Sequence, residues 1–101
     1  MSTSNVTEAT IEKKIKDWVE AQGGKCIKFT PRGECGWPDR ICIFKGGMLV
    51  WLELKRPGEE PEPLQYYRMS QLRERGQRVM WSDNYRHCTE RLQEFVNGDT
   101  L

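Results

Sequence analysis

The run Leu49-Val50-Trp51-Leu52-Glu53-Leu54-Lys55 constrains this chain most. It is apolar enough to be a largely buried strand, yet it carries two charges near its end. Residues two apart on a strand point to one face, so Glu53 and Lys55 lie side by side. Two charges on a buried strand are costly unless they are paired or bound to an ion. Upstream, Asp39 follows Pro38 in Gly36-Trp37-Pro38-Asp39, and a Gly46-Gly47 turn separates the two segments. A hairpin therefore brings Asp39, at the start of one strand, beside Glu53, at the end of the next. A divalent cation held by both carboxylates, with Lys55 next to it, removes the cost of burial.

That constellation carries the chemistry of phosphodiester hydrolysis. A hard cation polarises a phosphoryl oxygen, a water is oriented for in-line attack, and the leaving oxygen needs a charge partner. Carboxylates suit Mg²⁺ or Mn²⁺, and Mg²⁺ takes one or two of them while keeping several waters. Asp39 and Glu53 meet that need, and the backbone carbonyl of Leu54 offers a further oxygen. Lys55 is placed to orient or activate the attacking water; its alternative role is a counter-ion to the carboxylates. Glu12, at the border of the first helix's apolar stripe, is a candidate third acid, binding metal directly or through water. Glu8 competes with it. Gln65, near the start of the second helix, is placed to hold a water or a phosphate oxygen. Pro-Asp alone or Glu-x-Lys alone means little, whereas their combination across a hairpin is far more specific.

The bulk numbers narrow the classes. At 101 residues the chain supports one domain with a modest core. The formal net charge is +1, so nucleic-acid contact must come from charge placement rather than overall basicity. No apolar run approaches the ~20 residues that span a membrane. The start, Met1-Ser2-Thr3-Ser4-Asn5, has no basic-then-apolar pattern, so a cytoplasmic location is expected. Cys26, Cys35, Cys42 and Cys88 show no zinc-type spacing; all but Cys35 fall in regular elements and read as small core residues. His87 is the only histidine, so no His-based metal cluster can form.

Residues 1–6 read as a disordered N-terminus, 7–97 as one domain and 98–101 as a tail. Thr7 caps a helix ending at Gly23-Gly24, with Ile11, Ile15, Trp18 and Val19 at helical spacing. Strands are expected over 25–30, 39–44 and 48–55, the last two joined by Lys45-Gly46-Gly47. An acidic, proline-rich connection over 58–63 precedes a helix over 64–75, a strand over 77–82 and a final helix capped by Asp83 or Asn84. The order α-β-β-β-α-β-α gives a small mixed α/β sheet flanked by helices. The helical crossover makes the last two strands a parallel pair. Trp18, Trp51 and Trp81 occupy apolar periodic positions and read as core, whereas Trp37 is in a loop.

These residues resemble the virus-type replication-repair nuclease (VRR-NUC) family of the PD-(D/E)XK superfamily. The similarity runs from about Glu8 to Ser82. It rests on Glu12-Lys13-Lys14-Ile15, Gly23-Gly24, Lys28-Phe29-Thr30, Arg32-Gly33, Gly36-Trp37-Pro38-Asp39-Arg40, Trp51-Leu52-Glu53-Leu54-Lys55 and Pro63-Leu64-Gln65. The size looks like that of a stand-alone phage member. The resemblance implies a restriction-endonuclease-like αβββαβα core and Mg²⁺ or Mn²⁺ dependence. It implies metal ligation by Asp39 and Glu53, Glu12 as the helix acid, a catalytic Lys55 and an active-site Gln65. It further implies DNA as substrate, with a homodimer acting on branched DNA such as four-way junctions. Trp37 departs from the family pattern, where a smaller residue is expected.

Around the expected site, Lys28, Arg32, Arg40 and Arg56 are the candidate DNA-phosphate contacts. No base-reading module is visible, so recognition by DNA shape is expected over recognition by sequence. Tyr66-Tyr67 is a candidate dimer surface. The competing readings are a flap, end or nicking nuclease and a non-catalytic DNA-binding subunit. The complete set Asp39, Glu53 and Lys55 weighs against the last.

Overall fold

The computed structural model describes residues 7–98. The expected disordered segment 1–6 and the tail beyond Gly98 lie outside the described residues. Helix α1 spans Glu8–Ala21, followed by strands β1 (Lys25–Lys28), β2 (Arg40–Phe44) and β3 (Met48–Leu54). Helix α2 (Pro63–Glu74), strand β4 (Arg78–Ser82) and helix α3 (Tyr85–Asn97) complete the chain. Each boundary has a local cause. The Thr7 hydroxyl accepts from the Thr10 amide at 3.1 Å and starts α1. Glu62 and Gln65 form a reciprocal capping box with Pro63 in the first turn of α2. Asn84, rather than Asp83, caps α3 by accepting from the His87 amide at 2.8 Å.

The sheet order is β1-β2-β3-β4. The first three strands are antiparallel and β4 runs parallel to β3, as the helical crossover requires. The β2–β3 turn needs positive φ, and Gly46 and Gly47 supply it at 85° and 83°. The main core lies on the sheet face covered by α1 and α3. Ile11, Ile15 and Val19 pack there with Val50, Leu52, Leu54, Leu92 and Phe95. Burying each such side chain stabilises the fold by about 1.5–3 kcal/mol. Cys26, Cys42 and Cys88 belong to this core, and burial pushes the Cys88 thiol up to about 12.

The opposite face is covered less completely, because α2 buries only Met69 and Leu72. Val79 joins them, with Trp37, Trp51 and Trp81 packed at the margin. This corrects the expectation for the tryptophans. Trp18, Trp51 and Trp81 are half-buried flanks of two clusters, and Trp37 packs with them instead of standing free in its loop. Ile27 on β1 and Val96 on α3 are exposed apolar residues. No helix among the described residues is long and apolar enough to cross a membrane.

Candidate active site

Asp39 stands one residue ahead of β2, behind the buried Pro38. Its main chain is held from both sides. Phe29 N donates to the Asp39 carbonyl at 2.8 Å, and Asp39 N donates to Glu53 Oε1 at 3.3 Å. The second contact follows from register, since Arg40 pairs with Leu52 and the next step places Asp39 opposite Glu53. Glu53 is only 4% exposed, on the sheet face away from the main core. Its other oxygen, Oε2, accepts from Gln65 Nε2 at 3.3 Å and lies 3.6 Å from Lys55 Nζ. Gln65 is fixed by the α2 cap, because its Oε1 accepts from Glu62 N at 2.8 Å. The residues that open α2 therefore also aim an amide at the buried carboxylate. Lys55 follows β3 directly, its amide bonded to the Ser82 carbonyl at 2.9 Å. Leu54, with its side chain in the core, lies between the two charged residues.

A second group of acids meets Asp39 from α1. One carboxylate oxygen from each of Glu8, Glu12 and Asp39 falls within 4.8 Å of the others. Glu8 and Glu12 are four apart, so one helix face presents both. Glu12 Oε1 also accepts from Arg40 at 2.7 Å, in a pair whose side chains are 12% and 17% exposed. The sequence named Glu8 only as a competitor of Glu12; the structure brings both to Asp39. The i,i+4 spacing was the signal that both belong together.

The electrostatics of this corner are strained. Burial, then the charge of Asp39, pushes the Glu53 carboxyl up to about 7. Asp39 is raised by burial and by Glu12, and Glu8 by burial and by Glu12. Asp39 Oδ1 is buried with no hydrogen-bond partner among the described residues. A carboxylate with a buried, unpartnered oxygen, close to two further acids, has the chemistry that suits a hard divalent cation. Bound there, such a cation reverses each of these upward shifts.

Other expected contacts divide. Lys28 ends β1, exposed and opposite Arg40, and Arg32 is exposed in the following loop. Arg56 is exposed but engages Glu59 at 2.8 Å. Arg40 turns inward to Glu12, which leaves little of it for a phosphate. The loop before Asp39 is pinned to α2. Arg68 stacks on the Trp37 ring at 4.7 Å and donates to the Cys35 carbonyl at 3.0 Å. Trp37 Nε1 donates to Glu34 at 2.8 Å. A Cβ at Gly36, whose φ is +86°, would lie 2.6 Å from Leu64 Cγ. Sequence reasoning did not foresee this brace, though the large residue at Trp37 marked the place.

No family model matches the chain. Two kinds of relative do. A phage protein named "Putative nuclease p44", from Acyrthosiphon pisum secondary endosymbiont phage 1, is 34% identical over 79 residues, 78% of this chain and 85% of that protein. A solved structure described as a VRR_NUC domain superposes with a TM-score of 0.80 at 26% identity, over 85% of this chain and 94% of its own. The chain belongs to the VRR-NUC family. A second VRR_NUC domain protein shares the fold at a TM-score of 0.75 and 20% identity, covering 91% of this chain and 89% of that one. The four-stranded mixed sheet flanked by helices is thus the restriction-endonuclease-like α/β core, and the chain is of the nuclease type.

Proposed function

We propose that this VRR-NUC protein is a divalent-metal-dependent endodeoxyribonuclease, selective for branched DNA and acting as a homodimer. The observation that carries the reading is the orphaned Asp39 Oδ1. Asp39 also brings a carboxylate oxygen within 4.8 Å of the Glu8 and Glu12 carboxylates, and its backbone amide is tied to a Glu53 that faces Lys55. Asp39 and Glu53 would hold Mg²⁺ or Mn²⁺, with the Leu54 carbonyl and the helix acids Glu12 and Glu8 as further oxygen donors, directly or through water. When bound, the cation polarises the scissile phosphate and neutralises charge that develops on it. Every other task falls to side chains. Lys55, held beside Glu53, orients the attacking water and, as the neutral amine, would accept its proton. Gln65 fixes the Glu53 carboxylate so that the acid does not swing away. Arg40 balances Glu12 and keeps α1 against β2. Lys28, Arg32 and Arg56 lie at the rim, where exposed cations meet phosphates.

Selectivity for branched DNA and the dimer rest on family resemblance and on the absence of a base-reading element among the described residues. A four-way junction needs two paired cuts, which a dimer with two such sites provides. The deciding experiment is cleavage of labelled four-way junction, flap and linear duplex DNA with Mg²⁺, Mn²⁺ or EDTA, beside Glu53→Ala. Symmetric metal-dependent junction cuts, lost in the variant, support the proposal. Cuts confined to flaps or ends keep the nuclease and remove the junction role. Tight binding without any cleavage favours the non-catalytic reading.

A further inference from the structure

A second basic feature lies away from the acidic corner. Strand β4 is the last strand of the sheet, so its outer edge pairs with no other strand among the described residues. Beside it is a cavity of about 520 Å³ lined by Arg73, Arg78, His87, Arg91 and Phe95, with no aspartate or glutamate in its wall. In a chain with 16 basic and 15 acidic residues, three arginines without an acid in one wall is a marked local excess. The arginines come from three elements. Arg73 is in the last turn of α2 and donates to the Val79 carbonyl at 3.4 Å. Arg78 begins β4, and its Nε is buried without a hydrogen-bond partner among the described residues. Arg91, on α3, engages Glu94 at 3.0 Å and stacks over Phe95 at 4.3 Å. No carboxylate among the described residues forms an ion pair with Arg73 or Arg78. Guanidinium groups that line an open cavity and lack a carboxylate partner are natural donors to phosphate oxygens.

We propose that this groove along the free edge of β4 binds phosphates of the DNA backbone, with Arg73 and Arg78 as the principal donors. The inference rests on the nuclease reading for the identity of the polyanion, but the groove is distinct from the acidic centre. Register pairs Trp81 with Glu53 and Arg78 with Val50, so Arg78 lies three strand steps, roughly 10 Å, back along the sheet from the level of Glu53. A DNA arm leaving the acidic centre along β4 would meet the groove at its next phosphates. The groove then supplies grip and orientation for a protein whose net charge of +1 gives little general attraction.

The test is fluorescence anisotropy of a labelled duplex with wild type and Arg73→Gln/Arg78→Gln, across a salt series with EDTA present so that no strand is cut. Each phosphate contact contributes about 0.9 to the slope of log affinity against log salt. The double variant should therefore lose close to 2 from the slope and about fifty-fold in affinity near 0.1 M salt. Arg73→Lys/Arg78→Lys should recover most of the slope, which separates lost charge from lost folding. Lys25→Gln/Lys45→Gln, an equal charge change on the β1–β2 side, should leave the slope near wild type. An unchanged slope in the glutamine variant overturns the proposal. So does a changed oligomeric mass with DNA affinity intact, which would assign the groove to a protein partner. Wild type that binds no DNA in EDTA and cuts none with Mg²⁺ or Mn²⁺ would instead overturn the nuclease reading itself, and a wild type that binds but does not cut with metal would leave the groove result standing.

Discussion

Replacing Glu53 by Gln should make the metal-free protein more stable at alkaline pH while abolishing its activity. Glu53 is 4% exposed, and its carboxyl is raised from 4.5 to about 7, chiefly by burial and then by Asp39. A raised acid binds its proton more tightly in the folded state. Its contribution to stability is therefore fully present below about pH 4.5 and is lost as pH rises through about 7. At pH 8 the ionised carboxylate costs the fold about 3 kcal/mol. That figure already includes the attraction of Lys55, which acts in the opposite sense. Glutamine keeps an oxygen for the Asp39 amide but turns an NH₂ toward Gln65 and Lys55, which takes back about 1 kcal/mol. The net gain is about 2 kcal/mol at pH 8, or roughly 10 °C in Tm for a domain of this size, and near nil at pH 5. Urea unfolding in EDTA, followed by tryptophan fluorescence at both pH values, measures it. A variant that is less stable than wild type at pH 8 by the same margin as at pH 5 would refute the reasoning.

Lys55→Ala should slow cleavage by ~10²–10⁴ with metal binding retained, as loss of a general base does; a rate near wild type would make Lys55 a counter-ion only. Arg40→Ala should cost about 3 kcal/mol, because it leaves the Glu12 carboxylate beside Asp39 without its cation. Its chemical denaturation curve in EDTA reports that loss, and added Mn²⁺ should return part of it. Gly36→Ala should destabilise by about 1–3 kcal/mol, since the new Cβ meets Leu64 in a positive-φ conformation. If the Trp37–Arg68 brace positions Asp39, the activity of Gly36→Ala should fall further than its folded fraction.

Much of the fold was legible because local signals and tertiary demands agree. Thr7, Gly23 and Asn84 mark helix ends by capping chemistry, Gly46-Gly47 forces the hairpin, and the α2 crossover dictates the parallel β3–β4 pair. The pairing of Asp39 with Glu53 was legible for the same reason, since hairpin register is arithmetic. Contacts between elements distant in sequence were not. Nothing local says that Arg40 turns to Glu12 instead of outward, because that depends on how α1 crosses β2. Glu8 joins Asp39 through the same crossing. The tryptophans misled because periodicity identifies a face but not its cover. Helix α2, burying only Met69 and Leu72, is too narrow to enclose Trp37, Trp51 and Trp81.

Binding of Mn²⁺, read by the paramagnetic resonance of the free ion, tests the central claim most directly, with wild type and Asp39→Asn titrated side by side at pH 8. Wild type should take up Mn²⁺, and the variant should lose most of that affinity. Equal uptake by both proteins, or none by wild type, would contradict a metal centre built around Asp39.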